Sequence, residues 1–308
     1  MGSGTFDASR FSYANAADVL YGVSQERFDY LARLEDELSR FGQEPRCTMT
    51  GKIQQLLSSI EKKKAILDSC RPLDTAALSS LNESFRVEFT HDSTALEGNT
   101  LTLGETALVL LQGITVGEKP LREHLEVLDN DAAFQHVLTI AQDGCPIDER
   151  TVKDIHALVA KNDSRAHPLG AYASGQRFVG GSAAVPAPPD KVPEYMAALL
   201  LSVPEHPSLE DMACFHLVFE DIHPFNDANG RTGRLLLNLM LIKEGYPPIT
   251  IKSEERERAA YYRAIHDFTE PGGDRDTALL LSIIARCEER ALDQHLAAIG
   301  TGSGRAGQ

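Results

Sequence analysis

The chain has 308 residues, with 30 Lys and Arg against 45 Asp and Glu and a formal charge of −15. A nucleic-acid groove needs cations that displace counterions, so this balance excludes a nucleic-acid partner. No stretch approaches the roughly 20 apolar residues of a transmembrane helix, so no membrane partner is expected. The five cysteines are odd in number, widely spaced and never in a C-x-x-C pair, which excludes a disulfide scaffold and a zinc ribbon. With no basic-then-apolar leader pattern, the chain reads as cytoplasmic.

Helical periodicity dominates. Residues 24–41 place Phe28, Leu31, Leu34, Leu38 and Phe41 on one stripe, with Ser24 as N-cap and Gly42 as stop. A second helix covers 52–69 and a third runs from Thr75 to about Phe89. Asp92 or Ser93 then caps a short segment, Thr94 to Glu97, which Gly98 halts. Thr102 and Glu105 form a capping-box pattern, and helices follow at about 121–142 and 148–161. The Gly- and Pro-rich stretch 166–193, with the run Arg177-Phe178-Val179, reads as a β-hairpin flap and a turn. Helices resume at 190–202, at 208–222 behind a Ser208/Asp211 capping box, and at 231–244. Ser253 caps a run holding Tyr261, Tyr262, Ile265 and Phe268, and a last helix occupies about 275–298. The expected fold class is all-α, a helical bundle with a small β-hairpin flap. The expected division is an N-terminal helical region at 1–74, the start of the core at 75–145, the core and C-terminal helix at 146–300, and a disordered tail at 301–308.

The segment from His223 to Arg234, His-Pro-Phe-Asn-Asp-Ala-Asn-Gly-Arg-Thr-Gly-Arg, is the most informative. Pro224 ends the preceding helix, residues 226–230 are turn formers, and an apolar helix begins directly afterwards. A small-residue loop feeding a helix N-terminus offers unpaired N–H groups and the positive end of the dipole, an arrangement suited to phosphate. Arg231 and Arg234 lie three apart in the first turns, where cations oppose the dipole unless an anion sits between them. Asp227 supplies a hard oxygen ligand of the kind Mg²⁺ on a polyphosphate takes. His223 is the neighbouring group able to accept a proton near neutral pH.

This segment resembles the Fic family signature, H-x-F-x-(D/E)-(G/A)-N-(G/K)-R-x-x-R, and matches it at every position. Ser93-Thr94-Ala95-Leu96-Glu97-Gly98-Asn99 resembles the family's inhibitory motif in the subclass that carries it N-terminal to the core, and the likeness spans about 75–270. The resemblance implies a Fic-fold protein adenylyltransferase that moves AMP from ATP to a Ser, Thr or Tyr hydroxyl of a target protein and releases pyrophosphate. It implies His223 as general base and Asp227 as Mg²⁺ ligand. Asn229, Gly230, Arg231, Gly233 and Arg234 would hold the nucleotide, with Tyr262 or its neighbour Tyr261 lining the adenine pocket. Glu97 would pair with Arg234 in the place of the γ-phosphate and so inhibit. The flap near 172–181 would dock the target, and a homo-oligomer is a further expectation. The alternatives are a hydrolase that removes AMP using Glu97, a Doc-like phosphotransferase and a nucleotide-responsive binding module. Gly230 and Arg234 speak against the second, since Doc-like relatives carry Lys at the first position and lack the second Arg. Two positions depart from the commoner pattern: Ala228 stands for Gly, and Ala173 follows Tyr172 where Arg is frequent.

Overall fold

The computed structural model describes residues 47–73, 75–177, 186–270 and 275–303; the helix expected at 24–41 lies outside them. The described residues form ten α-helices: α1 (Gly51–Ser69), α2 (Thr75–Leu96), α3 (Leu103–Gln112), α4 (Leu121–Gln142), α5 (Glu149–Val159), α6 (Val192–Ser202), α7 (Leu209–Ile222), α8 (Asn229–Lys243), α9 (Glu255–Thr269) and α10 (Ala278–Ser303). A 3-10 turn at Ser164–Ala166 follows α5.

Helix α8 lies at the centre because it is buried all round. Every residue from Arg231 to Leu241 is buried, and a helix with no exposed face has to be surrounded. It packs on α7, α4, α5 and α2. Asn238 fixes its exit, donating from Nδ2 to the Ile249 carbonyl at 3.1 Å and accepting the Ile249 N–H at 2.7 Å. The capping boxes at Thr102/Glu105 and Ser208/Asp211 both form and start α3 and α7. Helix α1 begins at Thr50, whose hydroxyl accepts the Ile53 N–H, and it lays Ile53, Ile60 and Leu67 in the core alongside α10.

Two local expectations fail for one reason. Asp92 and Ser93 do not break the helix, and α2 runs unbroken to Leu96. Asp92 accepts instead from the Ser253 hydroxyl (2.7 Å) and pairs with Lys252 (3.1 Å). Ser253 is therefore turned to Asp92, and Glu254 stands at the N-cap of α9. Capping residues are read from local sequence, and here both side chains found partners across the fold.

The β-hairpin flap is a correction to the fold class: the described residues are all-α and contain no strand. Residues 172–177 are irregular, and their polar groups bond outward. The Ala173 N–H donates to the Pro224 carbonyl (2.9 Å), and Arg177 Nη2 donates to the Ala187 carbonyl (2.5 Å). Groups committed to a neighbouring loop are not available for a strand ladder. Residues 178–185, part of the expected hairpin, lie outside the described residues. Among the described residues no helix is long and apolar enough to cross a membrane, and all five cysteines are free.

Helix α10 carries a carboxyl with no visible purpose in the core. Glu288 is fully buried, neither oxygen has a hydrogen-bond partner, and burial raises its pKa well above the ordinary value. An unsatisfied buried polar group costs about 1–3 kcal/mol. Glu288→Met, which keeps the volume, is expected to raise stability by about that amount; urea unfolding monitored by circular dichroism checks it, and an unchanged or lower midpoint counts against it.

Candidate active site

Two left-handed residues shape the loop between α7 and α8. His223 (φ 51°) turns the chain after Ile222, and Ala228 (φ 61°) opens α8 without any side-chain cap. The left-handed conformation costs a non-glycine residue roughly 1–2 kcal/mol and persists where the surroundings impose it. Those surroundings are visible. Phe225 is fully buried and stacks on His156 with centroids 3.7 Å apart and planes 7° from parallel. Asn229 accepts the Phe225 N–H (2.8 Å) and donates to the Phe225 carbonyl (2.9 Å). His156 accepts the Gly170 N–H on Nδ1 (3.1 Å), so its proton sits on Nε2, which faces the Asp227 carbonyl at 3.2 Å. Burial pushes the His156 pKa down to about 4, and the ring stays neutral.

His223 sits at the mouth of this loop, partly exposed. Burial first, and then the Arg177 guanidinium, press its pKa down to about 4, against the opposing pull of the Glu220 carbonyl and the Glu97 carboxylate. Its imidazole is therefore uncharged at neutral pH and free to accept a proton.

The two arginines differ in what they have. Arg231 is buried, donates from Nη2 to Asp163 (3.2 Å), and leaves Nε and Nη1 without any partner. Arg234 is buried and fully engaged: Nη2 donates to Glu97 Oε1 (2.7 Å) and the Ser93 carbonyl (2.8 Å), and Nε donates to the Ser93 hydroxyl (3.1 Å). Below it lies Tyr261, fully buried, with its hydroxyl 2.8 Å from His216 Nε2. Burial would raise the Glu97 pKa, but the charge and hydrogen bond of Arg234, helped by Arg231, hold it below the ordinary carboxylate value. Glu97 is thus ionised on Arg234.

Asp227 is 28% exposed. Its Oδ1 accepts the Ala228 N–H (2.6 Å) and lies 3.7 Å from Arg231, and its Oδ2 lies 3.1 Å from Arg165 Nε. Arg165 also grips Asp163 with two bonds, Nε to Oδ1 at 3.0 Å and Nη2 to Oδ2 at 2.7 Å.

A base, a partly exposed carboxylate and a buried arginine with free donors thus surround an uncapped helix N-terminus. Residues 146–241 match the Fic/DOC family. The chain carries a Fic domain. It is similar to proteins named protein adenylyltransferase Fic: 35% identical over 253 residues in Nematostella vectensis, covering 79% of this chain and 56% of that protein. In Culex quinquefasciatus the likeness is 30% over 252 residues, covering 79% and 48%. The chain therefore spans about half the length of these curated relatives. Among solved structures it resembles a Fic domain containing signaling protein from Bacteroides thetaiotaomicron, with a TM-score of 0.68, 27% identity, and coverage of 81% of this chain and 97% of that one.

Within the Fic domain, the expected nucleotide-binding residues divide. Gly230 lies against Glu97 and Arg234, so closely that a Cβ there would strike the Glu97 carboxylate. Gly233 faces the other way, into α7: a Cβ would come within 2.7 Å of Glu220 Oε1, 3.1 Å of His216 and 3.2 Å of Phe219. Its task is close helix packing. Asn229 commits its side chain to Phe225, and Tyr262, 37% exposed, donates its hydroxyl to the Leu96 carbonyl at 2.6 Å, closing on the end of α2. Gly233→Ala is expected to destabilise by about 1–3 kcal/mol through overpacking; a drop in the thermal midpoint checks it, and no drop would show that the α7–α8 contact yields freely.

Several site residues escaped sequence reasoning. His156 sits on a buried stripe with Val152, Ile155 and Val159, and its one signal was a histidine on an apolar helical face. Asp163 and Arg165 lie in a short turn with no motif of their own. Arg177 is buried, donates to the Ala187 carbonyl and has no hydrogen-bond partner for Nε; in the sequence it read only as part of a strand.

Proposed function

We propose that this Fic domain transfers AMP from ATP to a hydroxyl of a target protein, and that Glu97 restrains the reaction. The observation that carries the reading is Arg231, buried at the start of α8 with two nitrogens lacking acceptors. Buried donors without partners are costly, and a phosphate at the uncapped N-terminus would satisfy them. The neutral His223 next to that place supplies the base.

In the proposed step the target oxygen attacks the α-phosphorus, the bond from that phosphorus to the bridging oxygen breaks, and pyrophosphate leaves. His223 takes the hydroxyl proton. Arg231 and the first N–H groups of α8 hold phosphate oxygens in a preorganised field. Asp227 is suited to Mg²⁺ as a single, partly exposed carboxylate. Among the described residues no group of three or more acidic, His or Cys side chains could hold a metal ion. Mg²⁺ is commonly held by one or two carboxylates together with substrate phosphates, and it would here neutralise phosphate charge. Glu97 occupies Arg234 as a carboxylate, the group that competes best with phosphate for a guanidinium. We assign the adenine contact to Tyr262, whose ring is partly exposed beside the end of α2. Five free cysteines suit a cytoplasmic setting.

The test compares labels. With Mg²⁺ and the Glu97→Gly chain, α-labelled ATP is expected to mark protein and γ-labelled ATP is not. Label from the γ-position alone would replace adenylyl transfer by phosphoryl transfer.

A further inference from the structure

Four charges at the mouth of the site alternate in sign. Arg165 lies on Asp163 with two bonds at 3.0 and 2.7 Å and on Asp227 at 3.1 Å. Arg231 lies on Asp163 at 3.2 Å and faces Asp227 at 3.7 Å. Asp163 and Arg231 are buried, while the Arg165 side chain is 55% exposed and Asp227 28%. Each arginine thus serves both aspartates.

We propose that Asp163 and Arg165 are placeholders: Arg165 holds Asp227 until a divalent cation replaces it, and Asp163 holds Arg231 until a phosphate replaces it. This rests on the functional reading above, in which Asp227 takes the metal and Arg231 the phosphate. The charges balance in both states. Without ligand, two arginines neutralise two aspartates, while Glu126, 3.9 Å from Arg165, is paired with Arg122 at 3.6 Å. When a metal–polyphosphate arrives, Asp227 and Arg231 turn to it, and Asp163 and Arg165 remain as a pair already joined by two parallel bonds, the strongest geometry open to them.

Either ligand alone is disfavoured. A metal on Asp227 displaces Arg165 and sets a divalent charge beside Arg231, which lies 3.7 Å from that carboxylate, with no phosphate yet to offset the two cations. A phosphate on Arg231 leaves Asp163 with half its partners and adds negative charge beside Asp227. The two ligands therefore bind with positive coupling, each raising the affinity for the other by the same factor. The exposure of Arg165 sets the scale, since a half-exposed pair contributes only modestly.

The test titrates Mn²⁺ into the full chain by electron paramagnetic resonance, with and without a non-hydrolysable ATP analogue. Arg165→Met should bind Mn²⁺ alone about fivefold more tightly than wild type, and the factor by which the analogue tightens Mn²⁺ should shrink. Arg165→Lys, which keeps the charge and loses the fork, should fall between them. If Arg165 instead only braces the loop, Arg165→Met will bind Mn²⁺ no better or worse than wild type, and the placeholder role is overturned. Asp227→Ala separates the two levels of the reading. Loss of Mn²⁺ binding in that chain keeps the metal role whatever Arg165 does, whereas unchanged binding overturns both. Because the Arg165 side chain is half in solvent, Arg165→Gln provides a second polar variant if the methionine chain aggregates, with the same expected direction.

Discussion

Replacing His223 by Ala is expected to lower AMP transfer by about 100- to 10,000-fold, the range a positioned general base contributes. Nucleotide affinity should stay near the wild-type value, because no phosphate contact is assigned to the ring. The same side chain fixes the pH dependence. Its pKa is pushed down to about 4, so the proton-accepting form prevails above that value and is lost below it. Transfer per unit of free enzyme and substrate should therefore be flat from about pH 6 upward and fall as pH drops through about 4–5. An acid limb centred near pH 6.5 would mean that His223 titrates like a solvent histidine. Activity of His223→Ala within about threefold of wild type would remove it from the base role altogether.

Releasing Arg234 should act in the other direction, by a smaller factor. Glu97 holds the guanidinium through a bond of 2.7 Å, with the carboxylate ionised. A hydrogen bond between charged groups is worth about 1.5–3 kcal/mol, so Glu97→Gly should raise transfer by about tenfold to a hundredfold. Other contacts keep Arg234 in place when Glu97 is gone: Ser93 accepts from it twice, and Tyr261 lies beneath it. The freed guanidinium edge is then offered to phosphate without the arginine collapsing elsewhere. A Glu97→Gly chain no more active than wild type on any target would end the case for restraint. Slower loss of AMP from a pre-modified target would assign Glu97 to hydrolysis instead.

Much of the candidate site was legible because its residues are neighbours in the chain. His223, Asp227, Arg231 and Arg234 lie within twelve residues, and backbone rules alone turn that segment into a loop before a helix. The observed left-handed His223 and Ala228 explain why turn-forming residues gather there. The helices with capping boxes were equally plain, since Thr102/Glu105 and Ser208/Asp211 bond within their own first turns. Contacts made across the fold could not be read from the residues themselves, and the one expected in advance, Glu97 on Arg234, came from the family resemblance. Ser253 looks like a cap and serves Asp92. Arg177 looks like a strand residue and donates to the Ala187 carbonyl. Gly233 sits in a phosphate-type motif and works as a packing contact against His216 and Phe219. His156 shows the same limit most clearly, because its role depends on Gly170 on one nitrogen and Asp227 on the other.

The contact between Glu97 and Arg234 is tested most directly by a double-mutant cycle on α-label incorporation, using wild type, Glu97→Gly, Arg234→Ala and the double variant. The expected result is a gain of about tenfold or more from Glu97→Gly that nearly vanishes when Arg234 is already Ala, because the freed partner is gone. An equal gain in both backgrounds would contradict restraint through Arg234 and place the action of Glu97 elsewhere.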